Sequence, residues 1–428
     1  MWGIFEMNSC CKIFSYYLIL ILLFVLPLYS FSNNLFSDKD SLIVHNYKLI
    51  PLPVFSYNSD VGFTGGIISN YYYYGSKRKY FPDYKAFLYG EATYSTKGSG
   101  ILRIISDYKN IIPGIRLTND IGYFTEKTLP FWGFNEYSVK YSNFPNLKHN
   151  YFKVKRQMYY AKFGAYTSLF KYFSIFAAFT FNKIKIQPKS NNSLLKDLIN
   201  WKIINDKDSY GGYNNFFTVA FTYDTRKPVA ANPDKGIFIE TNINYAPAKI
   251  NDRTKNYLRS FITIKGFISL IKDRLLLASR GVISKKLIGY IPYYAIPFYY
   301  TTLRWYDAVG GIKTIRGMDR DRLAVSDYIL TNTELRFFTN RFNLLSSSAS
   351  FVFYPYIDVL RPMVKKNMPT ASHSDLFLMD KINRFLFSYG GGMGLVFNYN
   401  LVLNFTIGVP DDKNFGKLGI FAGLDYVF

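Results

Sequence analysis

The chain has 428 residues, of which 49% are hydrophobic, 19% are aromatic and 19% are charged. This composition excludes a disordered or collagen-like chain. The apolar residues come in short runs, which excludes a polytopic helical membrane protein, since each of its spans needs about 20 consecutive apolar residues. The formal net charge is +23. Solvated loops and a polar lumen would account for this charge, and attraction of anionic lipid head groups or polyanionic cargo is the functional alternative.

The N-terminal segment predicts a secreted protein. Lys12 precedes an apolar run at residues 13–28, and the small residues Ser30 and Ser32 follow. This pattern is typical of a signal peptide over residues 1–32, with a single transmembrane anchor as the alternative. Both cysteines of the chain, Cys10 and Cys11, lie in this segment, so the mature chain needs no disulfide. No nucleic-acid partner is expected behind a secretion signal.

Residues 33–59 are too few for an independent domain. We therefore expect a short periplasmic N-terminal segment there and one domain over residues 60–428. Alternation with period two dominates this domain, as expected for strands that have one lipid face and one polar face. In the last strand, one face carries Leu418, Ile420, Ala422, Leu424, Tyr426 and Phe428. A soluble sandwich shows similar alternation, but the many aromatic residues and the C-terminal Phe favour a membrane barrel.

The alternation predicts fifteen strands. They lie near residues 61–74, 84–96, 99–109, 112–124, 152–169, 172–187, 213–224, 236–246, 256–270, 274–284, 326–338, 349–360, 383–397, 400–409 and 417–428. Bacterial barrels close with an even number of strands, so we expect a sixteenth in residues 125–150 or 188–212. The predicted fold is all-β: a 16-stranded antiparallel transmembrane β-barrel with an inserted lumenal loop.

The long connection at residues 285–325 contains the motif Gly310-Gly311-Ile-Lys-Thr-Ile-Arg316-Gly317. A merely exposed loop would not need an apolar lead-in to Ile-Arg-Gly. The motif resembles the sixth-loop signature of the BamA/TamA superfamily, the outer-membrane assembly and translocation barrels also called bacterial surface antigens. The resemblance implies a sixteen-stranded barrel into which this loop folds back, with its arginine paired to acids on the strands that follow.

Two acids match that expectation. Glu334 lies on the first strand after the loop and Asp358 on the second, although Leu360 stands where the family usually has glycine. Independently of the family, alternation turns both carboxylates inward. Two buried acids need a cationic partner, and a planar bidentate guanidinium such as Arg316 suits them.

Two further segments resemble the family. Residues 221–226 and 232–236 are similar to its periplasmic strand–turn–strand motif, in which Pro233 and Gly236 would build the turn while Asp224 and Arg226 hold it together. A simple turn is the alternative interpretation. The run Phe131-Trp132-Gly133-Phe134-Asn135 resembles an aromatic-glycine-asparagine element of shorter members. The terminal aromatic strand, with Tyr426 and Phe428, resembles the signal that the host's barrel-assembly machinery reads.

The resemblance covers about residues 50–428 and implies an outer-membrane barrel that inserts or exports proteins. Family members with that role usually carry POTRA domains ahead of the barrel, and residues 33–59 leave no room for one. The expected partners are outer-membrane lipid, the host barrel-assembly machinery and client outer-membrane or surface proteins. In this interpretation Arg316 and its acids hold the loop inside the barrel, and a weak seam between the first and last strands admits client strands.

Two other functions stay open at this point. One is a passive pore that the net charge makes anion-preferring. The other is an enzyme at the rim of the barrel, for which His373-Ser374-Asp375 is the candidate set. Consecutive residues do not form a catalytic triad, whose members meet through the fold, so we expect a solvated loop tip and no enzyme. No spacing typical of a metal or phosphate site occurs, and no cofactor is expected.

Overall fold

Sixteen long strands form one closed antiparallel sheet, in which each strand pairs with its neighbour in sequence and the first pairs with the last. The computed structural model describes residues 46–58, 61–80, 84–139, 150–227, 233–307, 309–344, 347–364, 377, 382–397, 401–424 and 428. The predicted signal peptide, residues 373–375 and Tyr426 lie outside these residues. The structure thus confirms the predicted barrel.

We number the long strands β1–β16. They are β1 Tyr47–Asn58, β2 Gly62–Tyr73, β3 Ala86–Ser95, β4 Gly100–Ile112, β5 Ile115–Pro130, β6 Lys153–Phe170, β7 Phe173–Pro188, β8 Phe216–Asp224, β9 Gly236–Ala246, β10 Tyr257–Ile271, β11 Leu275–Gly289, β12 Tyr328–Phe338, β13 Ser347–Pro362, β14 Leu386–Phe397, β15 Leu401–Pro410 and β16 Gly419–Leu424. The described residues also contain four short strands, at Gly211–Tyr213, Phe298–Tyr300, Trp305–Asp307 and Phe342–Leu344.

Helical structure in the described residues is confined to the connections. The α-helix Leu194–Asn200 is capped by Ser193, whose hydroxyl accepts a hydrogen bond from the backbone N–H of Lys196. Single 3-10 turns lie at Ser76–Arg78, Asn135–Tyr137, Asp206–Asp208, Lys249–Asn251 and Tyr293–Ala295. No helix in the described residues is long and apolar enough to cross a membrane.

The two ends of the barrel differ in their connections. Tight turns join β4 to β5, β6 to β7 and β10 to β11, whereas the opposite end carries long segments at 131–152, 189–215, 290–327 and 363–385. Outer-membrane barrels have short periplasmic turns and longer extracellular loops. The long connections therefore mark the extracellular end, and we call residues 290–327, between β11 and β12, loop 6.

Alternation sorts the side chains of each strand between lipid and lumen. On β8, Phe217, Val219 and Phe221 are exposed while Phe216 and Ala220 are buried. The buried side chains face a lumen that loop 6 fills. Apolar side chains of the loop pack there against inward side chains of β11, β12 and β13, in a cluster that includes Tyr293, Phe298, Leu323, Val325, Val282, Leu330 and Leu360.

The expected position of the missing strand was wrong. Neither 125–150 nor 188–212 holds it, because β1 occupies Tyr47–Asn58, a stretch that the sequence analysis assigned to a periplasmic segment ending at residue 59. Two features hide this strand. Pro51 and Pro53 argue against a strand interior, and Ile50, Leu52 and Val54 make the lumenal face as apolar as the lipid face, which removes the alternation.

Candidate functional site

Loop 6 brings Arg316 to the two acids that the sequence analysis singled out. Its Nη1 lies 2.6 Å from Oε1 of Glu334 on β12, and its Nη2 lies 2.6 Å from Oδ1 of Asp358 on β13. Its Nε and its backbone N–H both donate to Oδ2 of Asp358, at 2.9 and 3.0 Å. The side chains of all three residues are 0% exposed. We call these three residues the Arg316 site.

Neighbouring groups complete the Arg316 site. Arg336 donates to the second oxygen of Glu334 at 2.8 Å, so this carboxylate bridges two guanidinium groups. The Tyr356 ring stacks on the Arg316 guanidinium, whose carbon lies 3.4 Å from the ring centre. The hydroxyl of Ser388 on β14 donates to the backbone carbonyl of Arg316. Each polar group of the arginine therefore has a partner on the barrel wall, as a buried charge requires.

The glycines of the motif permit loop 6 to approach the barrel wall closely. Gly317 has φ +86°, and a Cβ added there would lie 2.6 Å from the backbone of Gly408 on β15. No other residue type fits that position without displacing the strand. Gly310 and Gly311 also have positive φ, and the backbone of Asp319 blocks a side chain at Gly310. The glycines of the motif thus set how deeply Arg316 reaches into the lumen.

A second anchor, which the sequence analysis did not identify, holds loop 6 at the opposite wall. Lys162 on β6 donates to the carbonyls of Thr302 and Leu303, at 2.8 and 3.1 Å. Glu240 on β9 accepts from the Thr302 backbone N–H at 3.2 Å and from its hydroxyl at 2.5 Å. All of these partners but Leu303 are buried. Alternation could have predicted that Lys162 and Glu240 face the lumen. No local sequence pattern could have identified their contact partners in loop 6, which lie far along the chain.

A charged cluster ties loop 6 to β5 and β6 as well. Arg156 on β6 lies 2.6 Å from Glu126 on β5 and 3.0 Å from Asp307 of the loop. Arg320, which follows the glycine motif, pairs with the same two acids at 2.5 and 2.6 Å. Asp321 completes the cluster, 3.9 Å from Arg156. Loop 6 therefore crosses the lumen and is fixed on both sides.

In the described residues, the seam between β1 and β16 has two register pairs. Only Tyr57 with Ala422 and Asn58 with Phe421 are in register in the described residues, whereas β1 pairs with β2 along its whole length. Asn46 and Tyr74, just beyond this ladder, form a hydrogen-bonded pair. Such pairs recur at every second residue, so the even-numbered residues of β1 direct their backbone N–H and C=O groups to β2. The odd-numbered residues therefore direct theirs to the opposite edge, which is the seam. Pro51 and Pro53 are odd-numbered, so two donors are missing from that edge.

The C-terminal residue departs from its predicted position. Alternation places Phe428 on the lipid face with Leu418 and Ile420, but its ring lies inside the barrel, 6.4 Å from the ring of Phe267. The guanidinium groups of Arg280 and Arg336 lie 5.3 and 5.5 Å from its centre. A regular strand would have kept the alternation, and β16 is described as a strand only to Leu424. Cation–π contact gives the terminal ring a favourable site among lumenal arginines.

In the described part of the β8–β9 connection, Asp224 and Arg226 make the contact that the sequence predicts. Arg226 binds both carboxylate oxygens of Asp224, at 2.9 and 2.7 Å, and its guanidinium stacks on Phe238. Gly236 has φ +113° where the chain enters β9, and Pro233 precedes it in the turn. This connection lies at the short-turn end, which is the periplasmic side. Its contacts account for a stable turn and assign it no chemistry.

The described residues offer no metal-binding set. They contain no group of three or more His, Cys, Asp or Glu side chains placed to hold a metal.

The aromatic segment Phe131–Asn135 contacts loop 6. The guanidinium group of Arg322, in loop 6, stacks on the ring of Trp132 at 4.7 Å from its centre. The amide oxygen of Asn135 accepts from the N–H of Ser326 at 2.9 Å. This aromatic segment therefore packs an outer loop against loop 6.

Comparison with known proteins establishes the fold. No protein-family model and no curated protein matches the sequence. Among solved structures, BamA from Haemophilus ducreyi lacking POTRA domains 1–3 is similar with a TM-score of 0.59 at 12% identity, over 89% of this chain and 70% of that one. CdiB from Acinetobacter baumannii has a TM-score of 0.52 at 11% identity, over 90% and 60% of the two chains. CdiB from Escherichia coli has a TM-score of 0.51 at 6% identity, over 90% and 64%.

The fold and the inserted loop define this chain as a sixteen-stranded β-barrel similar to those of bacterial outer-membrane proteins. More narrowly, it is structurally similar to the barrels of BamA and CdiB. At these identities the similarity extends to the fold and leaves the activity to be argued from the site.

Proposed function

We propose that this barrel inserts or exports proteins at the outer membrane. The observation that carries the proposal is a contrast within one barrel: loop 6 is fixed by buried charges on both walls, whereas in the described residues β1 and β16 are joined by two register pairs. Opening of a closed barrel occurs where the fewest interactions must break. The contrast therefore concentrates opening at the seam.

The Arg316 site serves as the lock in this mechanism. Its carboxylates come from neighbouring strands β12 and β13, so one arginine holds loop 6 and both strands in one arrangement. The anchor at Lys162 and Glu240 does the same for β6 and β9. With these walls fixed, a client strand can pair with an opened seam while the rest of the barrel keeps its shape.

The seam suits a transient client. An extended segment can add to a free strand edge through main-chain hydrogen bonds. Because Pro51 and Pro53 supply no donors on the seam side of β1, a client pairs there with two fewer bonds than on a regular edge. Each intramolecular hydrogen bond contributes about 0.5–1.5 kcal/mol net. The missing donors favour release of the client after it has been inserted or exported.

A passive pore is the alternative function, for which the net charge of +23 predicts anion preference. The lumenal packing of loop 6 favours the first proposal, since a solute path would have to pass through the buried cluster of Tyr293, Phe298, Leu323 and Val325. Conductance with anion selectivity from the wild-type barrel, with no effect of its loss on other proteins, would favour the pore.

The test is depletion of this protein in its own host, followed by quantitative proteomics of the outer membrane and cell surface. Insertion or export predicts that a defined set of barrels or surface proteins falls while their synthesis continues. Complementation with the wild-type chain should restore that set, and Arg316→Ala should not. An unchanged proteome on depletion would overturn the proposal.

Cross-linking tests the seam in the same cells. The pair Y57C/A422C joins β1 to β16 at positions in register, and antiparallel neighbours are close enough for a disulfide. We expect oxidation to block complementation and reduction to restore it. The matched control is I67C/A92C, which joins β2 to β3 where pairing is already continuous. Equal activity of both oxidised variants would contradict opening at the seam.

A further inference from the structure

A group of lysines points outward from the extracellular end of β6 and β7. Buried residues on these two strands, such as Arg156 and Ile184, are even-numbered, so odd-numbered side chains face away from the lumen. Four lysines occupy odd positions at this end of the two strands, and Lys189 directly follows β7. We call them the β6–β7 lysine patch: Lys153, Lys155, Lys183, Lys185 and Lys189.

The strand register brings these lysines together. The N–H of Lys189 donates to the carbonyl of Lys153 at 3.1 Å, which places these two side by side at the top of the barrel wall. Below them, Lys155 pairs with Gln187, Lys185 with Gln157, and Lys183 with Tyr159. Neighbouring strands lie about 4.8 Å apart and residues rise about 3.4 Å each, so the patch spans roughly 20 Å along two strands.

The charge of the patch is not neutralised by the described part of the chain. None of its lysines forms an ion pair there, and the charged neighbours of Lys153 are Lys97 and Lys189. Lysines elsewhere on the surface behave differently: Lys285 lies 2.8 Å from Asp327 and Lys202 lies 3.0 Å from Asp206. Like charges collected without acids repel each other, and a bound anion relieves that repulsion.

The height of the patch on the barrel indicates where such an anion comes from. Level with Lys183 and below the other four lysines, the exposed ring of Tyr159 packs on Tyr123 with 4.9 Å between centroids. Exposed Phe163 and Phe181 follow on the same face. Tyrosine marks the membrane–water interface of barrels, with apolar residues below it in the hydrocarbon layer. The lysines therefore lie at the depth of the lipid head groups in the extracellular leaflet.

We propose that the β6–β7 lysine patch binds the phosphate groups of a phosphorylated glycolipid in that leaflet. Lysine ammonium groups bind phosphate as point charges, and basic clusters beside a membrane recognise anionic head groups in the same way. The patch lies on the lipid face, away from loop 6 and the seam, so the proposal does not depend on the proposed function. Bound lipid would fix the orientation of β6 and β7 in the membrane.

The test compares lipid retention by purified, folded barrels. The probes are a diphosphorylated glycolipid (lipid A), the same lipid without its phosphates, and inorganic phosphate, each added in detergent and followed by native mass spectrometry. Each basic residue beside an anionic surface adds measurable affinity, so K155Q/K183Q/K185Q/K189Q should reduce retention of the phosphorylated lipid by at least about tenfold. Replacement of the same four residues by arginine should preserve retention.

The control variant changes the same number of lysines in the extracellular connections: K196Q/K202Q/K207Q/K249Q. It should retain the phosphorylated lipid as the wild type does, and both variants should show normal heat-modifiable folding. Equal loss in both variants would overturn the proposal, as would equal retention of the lipid without phosphates. Saturation by inorganic phosphate alone that displaces no lipid would also overturn it, because the patch would then be an anion site without lipid.

Discussion

Removal of the Arg316 side chain tests the role of the buried ion pairs. In Arg316→Ala, Asp358 loses the two guanidinium donors that now bind it at 2.9 and 2.6 Å, while Glu334 keeps its contact with Arg336. Breaking a buried ion pair from one side costs about 3–5 kcal/mol, because the remaining charge stays desolvated. We expect a loss of that size in the free energy of unfolding, with Asp358 as its main source.

The assay is limited proteolysis of the folded barrel together with urea unfolding in the same detergent. Loop 6 of the variant should become cleavable at Lys313 and Arg320, which are half-buried in the structure, while loop 6 of the wild type should resist cleavage. Arg304→Ala is the matched control, since this arginine lies in the same loop but is exposed. Arg316→Lys should fall between wild type and alanine, because an ammonium keeps the charge and loses the bidentate geometry.

The double variant R316A/D358A separates two explanations. If the unpaired carboxylate carries the cost, removing it as well should recover part of the lost stability. Wild-type protease resistance and stability in Arg316→Ala would refute the reasoning altogether. Recovery in the double variant without restored protection would show that the carboxylate, and not the position of the loop, sets the stability.

Three further changes have defined outcomes. Lys162→Met removes the donor to two loop carbonyls, so we expect fluctuating conductance in planar bilayers with the Arg316 site intact; conductance like that of the surface control Lys202→Met would contradict the second anchor. Deletion of Phe428 should impair assembly into the outer membrane, measured by heat-modifiable folding in cells, and Phe428→Tyr should not; normal assembly after deletion would count against a terminal signal. Replacing Pro51 and Pro53 by valine restores two seam donors, worth about 1–3 kcal/mol together, and should reduce complementation of depleted cells if opening is required; unchanged complementation would show that the prolines do not weaken the seam.

Much of the barrel could be predicted because strand alternation is a local property. On β12, Phe337 and the apolar residues that alternate with it mark the lipid face, which places Glu334 on the lumenal face. This prediction needs no knowledge of any other strand. The position of Asp358 follows in the same way. Resemblance of the loop motif then supplied the partner, Arg316, which no periodicity could have named.

The unpredicted contacts share a physical origin. Lys162 binds carbonyls that lie 140 and 141 residues further along the chain, and backbone acceptors carry no signal in a sequence. The terminal ring of Phe428 left its predicted face because a cation–π site between two lumenal arginines competes with the end of a strand. Both depend on the closed barrel, which assembles distant residues around one lumen.

The two prolines of β1 explain why this strand was not predicted, and they also weaken the hydrogen bonding of its seam edge. Pro51 and Pro53 would disrupt a strand with neighbours on both sides, so their presence argues against a strand in any sequence pattern. They are tolerated here because their missing donors face the seam, where β16 pairs with β1 only at Tyr57 and Asn58 in the described residues. A barrel under selection for a tight seam would gain by losing both prolines. Their position on the seam edge of β1 instead fits a seam that opens. The same two prolines thus explain why β1 was not predicted and support the proposed function.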